Sequence, residues 1–164
     1  MTVYLGAGHL PPLFSYLEKR YARIEEVPDY KGEAAGYEKL LGVLERVQMD
    51  LYYPALLDKA AYLLIAINKG HFFSNGNKRL ALVVSTVFLD LNKKQLKANS
   101  KEDYKLLLGR LFPEYQRWSD FTEFTATDFA TYHLSIVIAE SGALSIEHDD
   151  LKSRVKEFFA EATE

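Results

Sequence analysis

The segment His71-Phe72-Phe73-Ser74-Asn75-Gly76-Asn77-Lys78-Arg79 holds most of the legible chemistry of this chain. It combines an imidazole, a glycine-containing turn whose backbone can approach an anion, a carboxamide on each side of that turn, and two adjacent cations. An imidazole titrates near neutrality, which suits it to taking a proton. The two cations beside exposed backbone N–H groups suit an anion, phosphate above all.

The flanking patterns say what must position these groups. Upstream, Leu56, Ala60, Leu63, Leu64 and Ile67 recur at helical spacing, and Gly70 stands where a helix ending in a left-handed cap takes glycine. Downstream, Leu80, Ala81, Leu82, Val83, Val84, Val87, Phe88 and Leu91 make a nearly all-round apolar helix, the pattern of one buried in a core. Residues 71–77 are thus predicted to join two core helices, the second opening at about Gly76 to Lys78. A helix start carries unpaired N–H groups and a partial positive charge, so the joint is an anion site by construction. Simpler roles exist for the same residues. Ser74, Asn75 and Asn77 are all types that cap helices, at least one of Phe72 and Phe73 belongs in a core, and Lys78-Arg79 taken alone reads as a solvated pair.

With those residues set out, the segment resembles the motif of the Fic/Doc family, H-x-F-x-[D/E]-[G/A]-N-[G/K]-R, at His71, Phe73, Gly76, Asn77, Lys78 and Arg79. Lys78, where the nucleotide-transferring Fic branch has glycine, and Leu82, where that branch has a second arginine, are similar to the Doc branch. A weaker likeness runs from about Gly36 through Val47 to Leu96. The acidic motif position is Asn75.

The resemblance implies a role for each residue. His71 would be the general base toward a hydroxyl of a target protein, and Phe73 the aromatic that anchors the loop. Ser74, Gly76 and Asn77 would hold ATP phosphates together with Lys78 and Arg79, the two cations also neutralising charge during transfer. The family's acid holds Mg2+, for which Asn75 offers only a neutral oxygen. A flap that meets the target is implied at residues 28–36, with Tyr30, Lys31 and Gly32 as its contacts. The implied activity is that of a Doc-like toxin of a toxin–antitoxin system, moving phosphate from ATP to a Ser or Thr of a cytoplasmic protein such as elongation factor Tu. The alternatives are a Fic-type adenylyltransferase, against which Lys78 speaks, and a non-catalytic nucleotide- or partner-binding member, for which Asn75 speaks. Many Fic proteins restrain themselves through an internal [S/T]-x-x-x-E-[G/N] helix, a pattern missing here, so the implied regulator is a separate Phd-type antitoxin.

Composition bounds the rest. The 164 residues, 48% hydrophobic and 13% aromatic, suffice for one substantial core, and a single domain over 1–164 is expected. With 26% charged residues and a formal net charge of -3, no broad attraction to nucleic acid or an anionic membrane is suggested. Cysteine is missing, which removes disulfide and thiol chemistry, and the lack of an apolar run of about 18 residues points to the cytoplasm.

Taken in order, Met1 to Gly8 reads as an extended start, a candidate short edge strand. Pro11 and Pro12 lead into a helix with Leu13, Phe14, Tyr16, Leu17, Tyr21 and Ile24 on one face. Pro28 to Gly36 is a proline- and glycine-punctuated loop. Tyr37, Leu40, Leu41, Leu44 and Val47 predict a second helix, and Pro54 suits the first turn of the one that reaches the motif. Asn92 reads as a stop. Ser100 with Asp103, and Thr125 with Asp128, read as capped helix starts, separated by an aromatic irregular stretch from Phe112 to Thr125. The second of these helices is expected to end near Gly142. Leu151, Val155, Phe158 and Ala162 predict a final amphipathic helix. The total is an all-α fold of about six to eight helices.

Overall fold

The computed structural model describes residues 1–23 and 26–164. Seven α-helices run through them: α1 (Leu10–Tyr21), α2 (Ala34–Arg46), α3 (Leu56–Lys69), α4 (Asn77–Leu91), α5 (Lys101–Leu111), α6 (Ala126–Glu140) and α7 (His148–Ala162). One turn of 3-10 helix, Ala7–His9, precedes α1. The fold is all-α, as the periodic segments predict. In place of strands, the described residues show one isolated pairing, of Leu96 with Thr163. Two compact units result, Met1–Lys93 with α1 to α4 and Lys94–Glu164 with α5 to α7.

In the first unit α3 and α4 pack along each other and fix the two ends of the motif loop. Ala60, Leu63, Leu64 and Ile67 of α3 are fully buried, as are Leu80, Ala81, Val84 and Phe88 of α4. Each large apolar side chain buried in this way contributes about 1.5–3 kcal/mol, so the pair is a rigid base for what lies between. Ser85 is also buried and returns its hydroxyl to the Ala81 carbonyl at 2.8 Å.

The other elements of this unit are set by short-range chemistry. Prolines in the first turn start α1, where a missing N–H costs nothing. Its buried face is Leu10, Leu13 and Leu17; Tyr16 is 52% exposed, and Ile24 lies outside the described residues. Asn92 does end α4. Its amide donates to the Phe88 carbonyl at 2.8 Å and to the Val3 carbonyl at 2.9 Å, and its oxygen accepts the Val3 N–H at 2.8 Å. One side chain thereby satisfies both backbone groups of Val3 in the extended start.

Pro54 precedes α3 instead of entering its first turn. The helix begins after Ala55, whose N–H donates to the Asp58 carboxylate at 3.1 Å. Lys59 is buried, and its ammonium donates to the Val47 carbonyl at 3.1 Å and to Asp50 Oδ1 at 2.7 Å, pinning the 47–50 break against α3.

In the second unit the capped starts appear where Ser100 and Thr125 predict them, each hydroxyl accepting an N–H three residues on at 3.1 Å. Asp149 and Asp150 supply acid to the first turn of α7. The end of α6 comes at Glu140, two residues before Gly142. Between α5 and α6 the aromatic stretch wraps His133, which is fully buried. His133 Nε2 accepts the Ser119 N–H at 3.0 Å, so the proton sits on Nδ1 and is donated to the Phe129 carbonyl at 2.8 Å. Burial holds this histidine below its ordinary pKa, the Phe129 bond and Asp120 opposing weakly.

Candidate functional site

The motif loop leaves α3 in an unexpected way. Gly70 keeps a right-handed backbone (φ −75°), and the left-handed conformation falls on His71 (φ 50°). Glycine is required at 70 for another reason. A Cβ there would lie 2.3 Å from Cε1 of Phe72, whose ring is folded back over the backbone. The conformational cost at His71 is about 1–3 kcal/mol, a strain that persists only where the surroundings over-determine it. Its imidazole is exposed and forms no hydrogen bond among the described residues.

The far side of the loop is built by Asn77. Its carboxamide clasps the backbone of Phe73, accepting the N–H at 3.1 Å and donating to the carbonyl at 2.9 Å, and the Phe73 ring is buried. Asn77 is the first residue of α4. The cap itself is Gly76, with φ 71° and no side-chain bond to the helix, so none of Ser74, Asn75 and Asn77 acts as the cap. With no side-chain cap at this end, the start of α4 suits an anion. Lys78 is exposed beside it. Arg79 is half-buried with its guanidinium 4.5 Å from the ring centre of Tyr21, and burial lowers its pKa from the ordinary arginine value.

Three residues ahead of α2 and within it lock this loop from outside. The Tyr30 hydroxyl donates to the Gly76 carbonyl at 3.2 Å, and its ring lies between Phe14 and Phe73, each 4.9 Å away between centres. Tyr30 is only 3% exposed; burial, then the charge of Glu33 and then Tyr21 push its pKa up to about 12, so it remains a neutral donor. Glu33 spans to Ser74, one oxygen accepting the N–H at 2.8 Å and the other the hydroxyl at 2.9 Å. Gly36 admits the loop's backbone, since a Cβ there would stand 2.0 Å from the Phe72 carbonyl oxygen.

Of the three flap residues named from the sequence, Tyr30 therefore points inward, while Lys31 and Gly32 are exposed. Glu33 and Tyr21 were not legible as site residues. Glu33 sits in a loop with other charges, and Tyr21 reads as one more apolar helix position; neither type nor spacing links them to residues 74 and 79.

A divalent cation can be tested against these groups. Among the described residues no three His, Cys, Asp or Glu side chains gather to form a cage. Asn75 Oδ1, however, is buried and has no hydrogen-bond partner, and an oxygen in that state costs about 1–3 kcal/mol unless something meets it. The Glu33 carboxylate lies at the neighbouring residue. This sparse set fits Mg2+, which keeps several waters and shares itself between one or two protein oxygens and substrate phosphates.

Residues 13–89 match the Fic/DOC family. A little under half of the chain is thus similar to that family. The match takes in α1 to α4 almost entirely, so the Fic/Doc likeness begins well before Gly36 and includes Tyr30 and Glu33. Over 71 residues the chain is 38% identical to the curated protein Toxin Doc of Mycolicibacterium smegmatis (strain ATCC 700084 / mc(2)155). That alignment takes in 41% of this chain and 55% of the relative, so it spans about half the relative's length. No solved structure matches. No helix among the described residues is long and apolar enough to cross a membrane.

Proposed function

We propose that this protein is a Doc-like toxin that moves the γ-phosphate of ATP to a Ser or Thr hydroxyl of a target protein in the cytoplasm. The observation that carries the reading is the joint itself: a strained, exposed His71 at one end of the loop and an uncapped helix start with Lys78 and Arg79 at the other. His71 takes the hydroxyl proton as the oxygen attacks the γ-phosphorus. The bond from phosphorus to the bridging oxygen breaks, and ADP leaves. The N–H groups at the start of α4, with Lys78 and Arg79, bear the charge that moves onto the phosphate oxygens. Mg2+, held by oxygens of the loop region and the phosphates, would add further neutralisation there.

The N–H and hydroxyl of Ser74 already serve Glu33, so the phosphate donors in this reading are Gly76, Asn77, Lys78 and Arg79 without Ser74. The exposed turn at Lys31 and Gly32 is the place for a target segment to meet the loop. By likeness to the Doc toxins, the target is a translation factor such as elongation factor Tu, and a Phd-type antitoxin is the partner.

A second reading, a nucleotide- or partner-binding protein without catalysis, is favoured by the neutral side chain at Asn75. Adenylyl transfer is disfavoured by Lys78, where the Fic branch has glycine. Expression of the protein alone tests the toxin reading. Growth arrest relieved by His71→Ala at equal protein level is expected, and arrest that survives His71→Ala would move the reading to the binding protein.

A further inference from the structure

Glu33 stands at the N-cap position of α2 and does not cap it. Its side chain instead crosses to the motif loop, where its two oxygens take the N–H and hydroxyl of Ser74. A carboxylate oxygen has two acceptor sites, so each retains one. The next residue is Asn75, whose Oδ1 is buried and unpartnered. A carboxylate has thus been delivered to within one residue of the place where the family pattern has an acid and this chain has an amide.

We propose that Glu33 supplies the carboxylate that position 75 lacks, holding the divalent cation of a bound nucleotide together with Asn75 Oδ1. The inference rests on the reading of this loop as a nucleotide site. It accounts for three observations at once. The carboxylate is diverted from its own helix, the Asn75 oxygen is left open, and no cluster of three acids or histidines is found among the described residues. A cation shared among one carboxylate, one amide oxygen, phosphates and water needs no such cluster. The charge of Glu33 then has opposite consequences in two conditions. Without metal it repels the phosphates; with metal it draws them in.

The test is calorimetric titration of the full chain with a non-hydrolysable ATP analogue, in EDTA and in excess Mg2+. Mg2+ is expected to tighten binding to the wild type by on the order of tenfold, the effect of one unit charge a few ångströms away in a nearly water-like dielectric. Glu33→Gln keeps the length and one acceptor. It is expected to bind the analogue more tightly than the wild type in EDTA and to lose most of the gain from Mg2+. Adding Asn75→Asp to Glu33→Gln is expected to recover that gain, because a carboxylate returns to the motif position. Should Glu33→Gln melt far below the wild type, Ser74→Ala, which removes only the hydroxyl that seats Glu33, is expected to lose part of the gain.

A gain from Mg2+ that survives Glu33→Gln, or Ser74→Ala where that variant stands in, overturns the inference and leaves the nucleotide site intact. Absence of analogue binding by wild type and variant in both conditions overturns the inference together with the proposed function.

Discussion

The hydroxyl of Tyr30 donates to the carbonyl of Gly76 at 3.2 Å, and a Cβ on Gly76 would lie 2.5 Å from that same hydroxyl oxygen. Two constraints therefore meet on Gly76. Its left-handed backbone (φ 71°) starts α4, and its missing side chain admits the tyrosine that holds the loop. Gly76→Ala is expected to cost about 1–3 kcal/mol from backbone conformation alone and more from the displaced ring. Tyr30→Phe removes only the hydrogen bond and should cost about 0.5–1.5 kcal/mol. Urea unfolding checks the order: a Gly76→Ala variant no less stable than Tyr30→Phe would mean that the loop is not locked in this way.

The strain at His71 gives a trade between stability and activity. His71→Gly relieves a positive φ that costs about 1–3 kcal/mol, against a glycine entropy cost of about 0.5–1 kcal/mol. The variant should melt at or slightly above the wild-type temperature while losing function. His71→Val places a β-branched residue at the same φ and should melt lower. A large drop in melting temperature for His71→Gly would show that the imidazole is held for structural reasons.

Asn75→Asp places a carboxylate where an oxygen is already buried without a donor. In EDTA it should lower stability by about 1–3 kcal/mol, since a charge without a partner is costly to bury. With ATP and Mg2+ the loss should shrink or reverse. Thermal melts in the two conditions decide it; equal melting of variant and wild type in both would mean that position 75 faces neither a low-polarity surround nor a cation.

His133 sets a pH dependence in the second unit. Its folded pKa lies below the ordinary value of 6.5 because the ring is buried. The unfolded chain thus binds a proton that the folded chain refuses, and stability falls as pH drops from about 6.5 toward the lower folded pKa. Above that window the contribution is complete. Unfolding midpoints at a series of pH values should show a slope in wild type that is reduced in His133→Gln. An identical slope in both would assign the acid sensitivity elsewhere.

What the sequence disclosed and what it withheld divide along chain separation. The ends of the motif loop were legible because α3 and α4 bury long apolar faces, and the caps at Ser100 and Thr125 because each bond spans three residues. The exit of α3 was misplaced by one residue. Glycine at 70 reads as a left-handed cap, and only the position of the Phe72 ring reveals that its small size is what matters. The clamps were hidden for a related reason. Glu33 and Ser74 are 41 positions apart and Tyr30 and Gly76 are 46 apart, so nothing in local periodicity joins them. A loop rich in glycine and charge reads as a solvent-facing flap; the Tyr30 ring between Phe14 and Phe73 turns part of it inward.

The central claim is that His71 directs the γ-phosphate of ATP onto a protein hydroxyl. Purified protein incubated with a cell extract and either γ-labelled or α-labelled ATP tests it most directly. Label on a protein band from the γ-position alone is expected, with a rate lowered by about 10²–10⁴-fold in His71→Ala, the usual worth of a positioned base. Transfer of the α-label, or γ-label transfer that His71→Ala leaves at the wild-type rate, would contradict it.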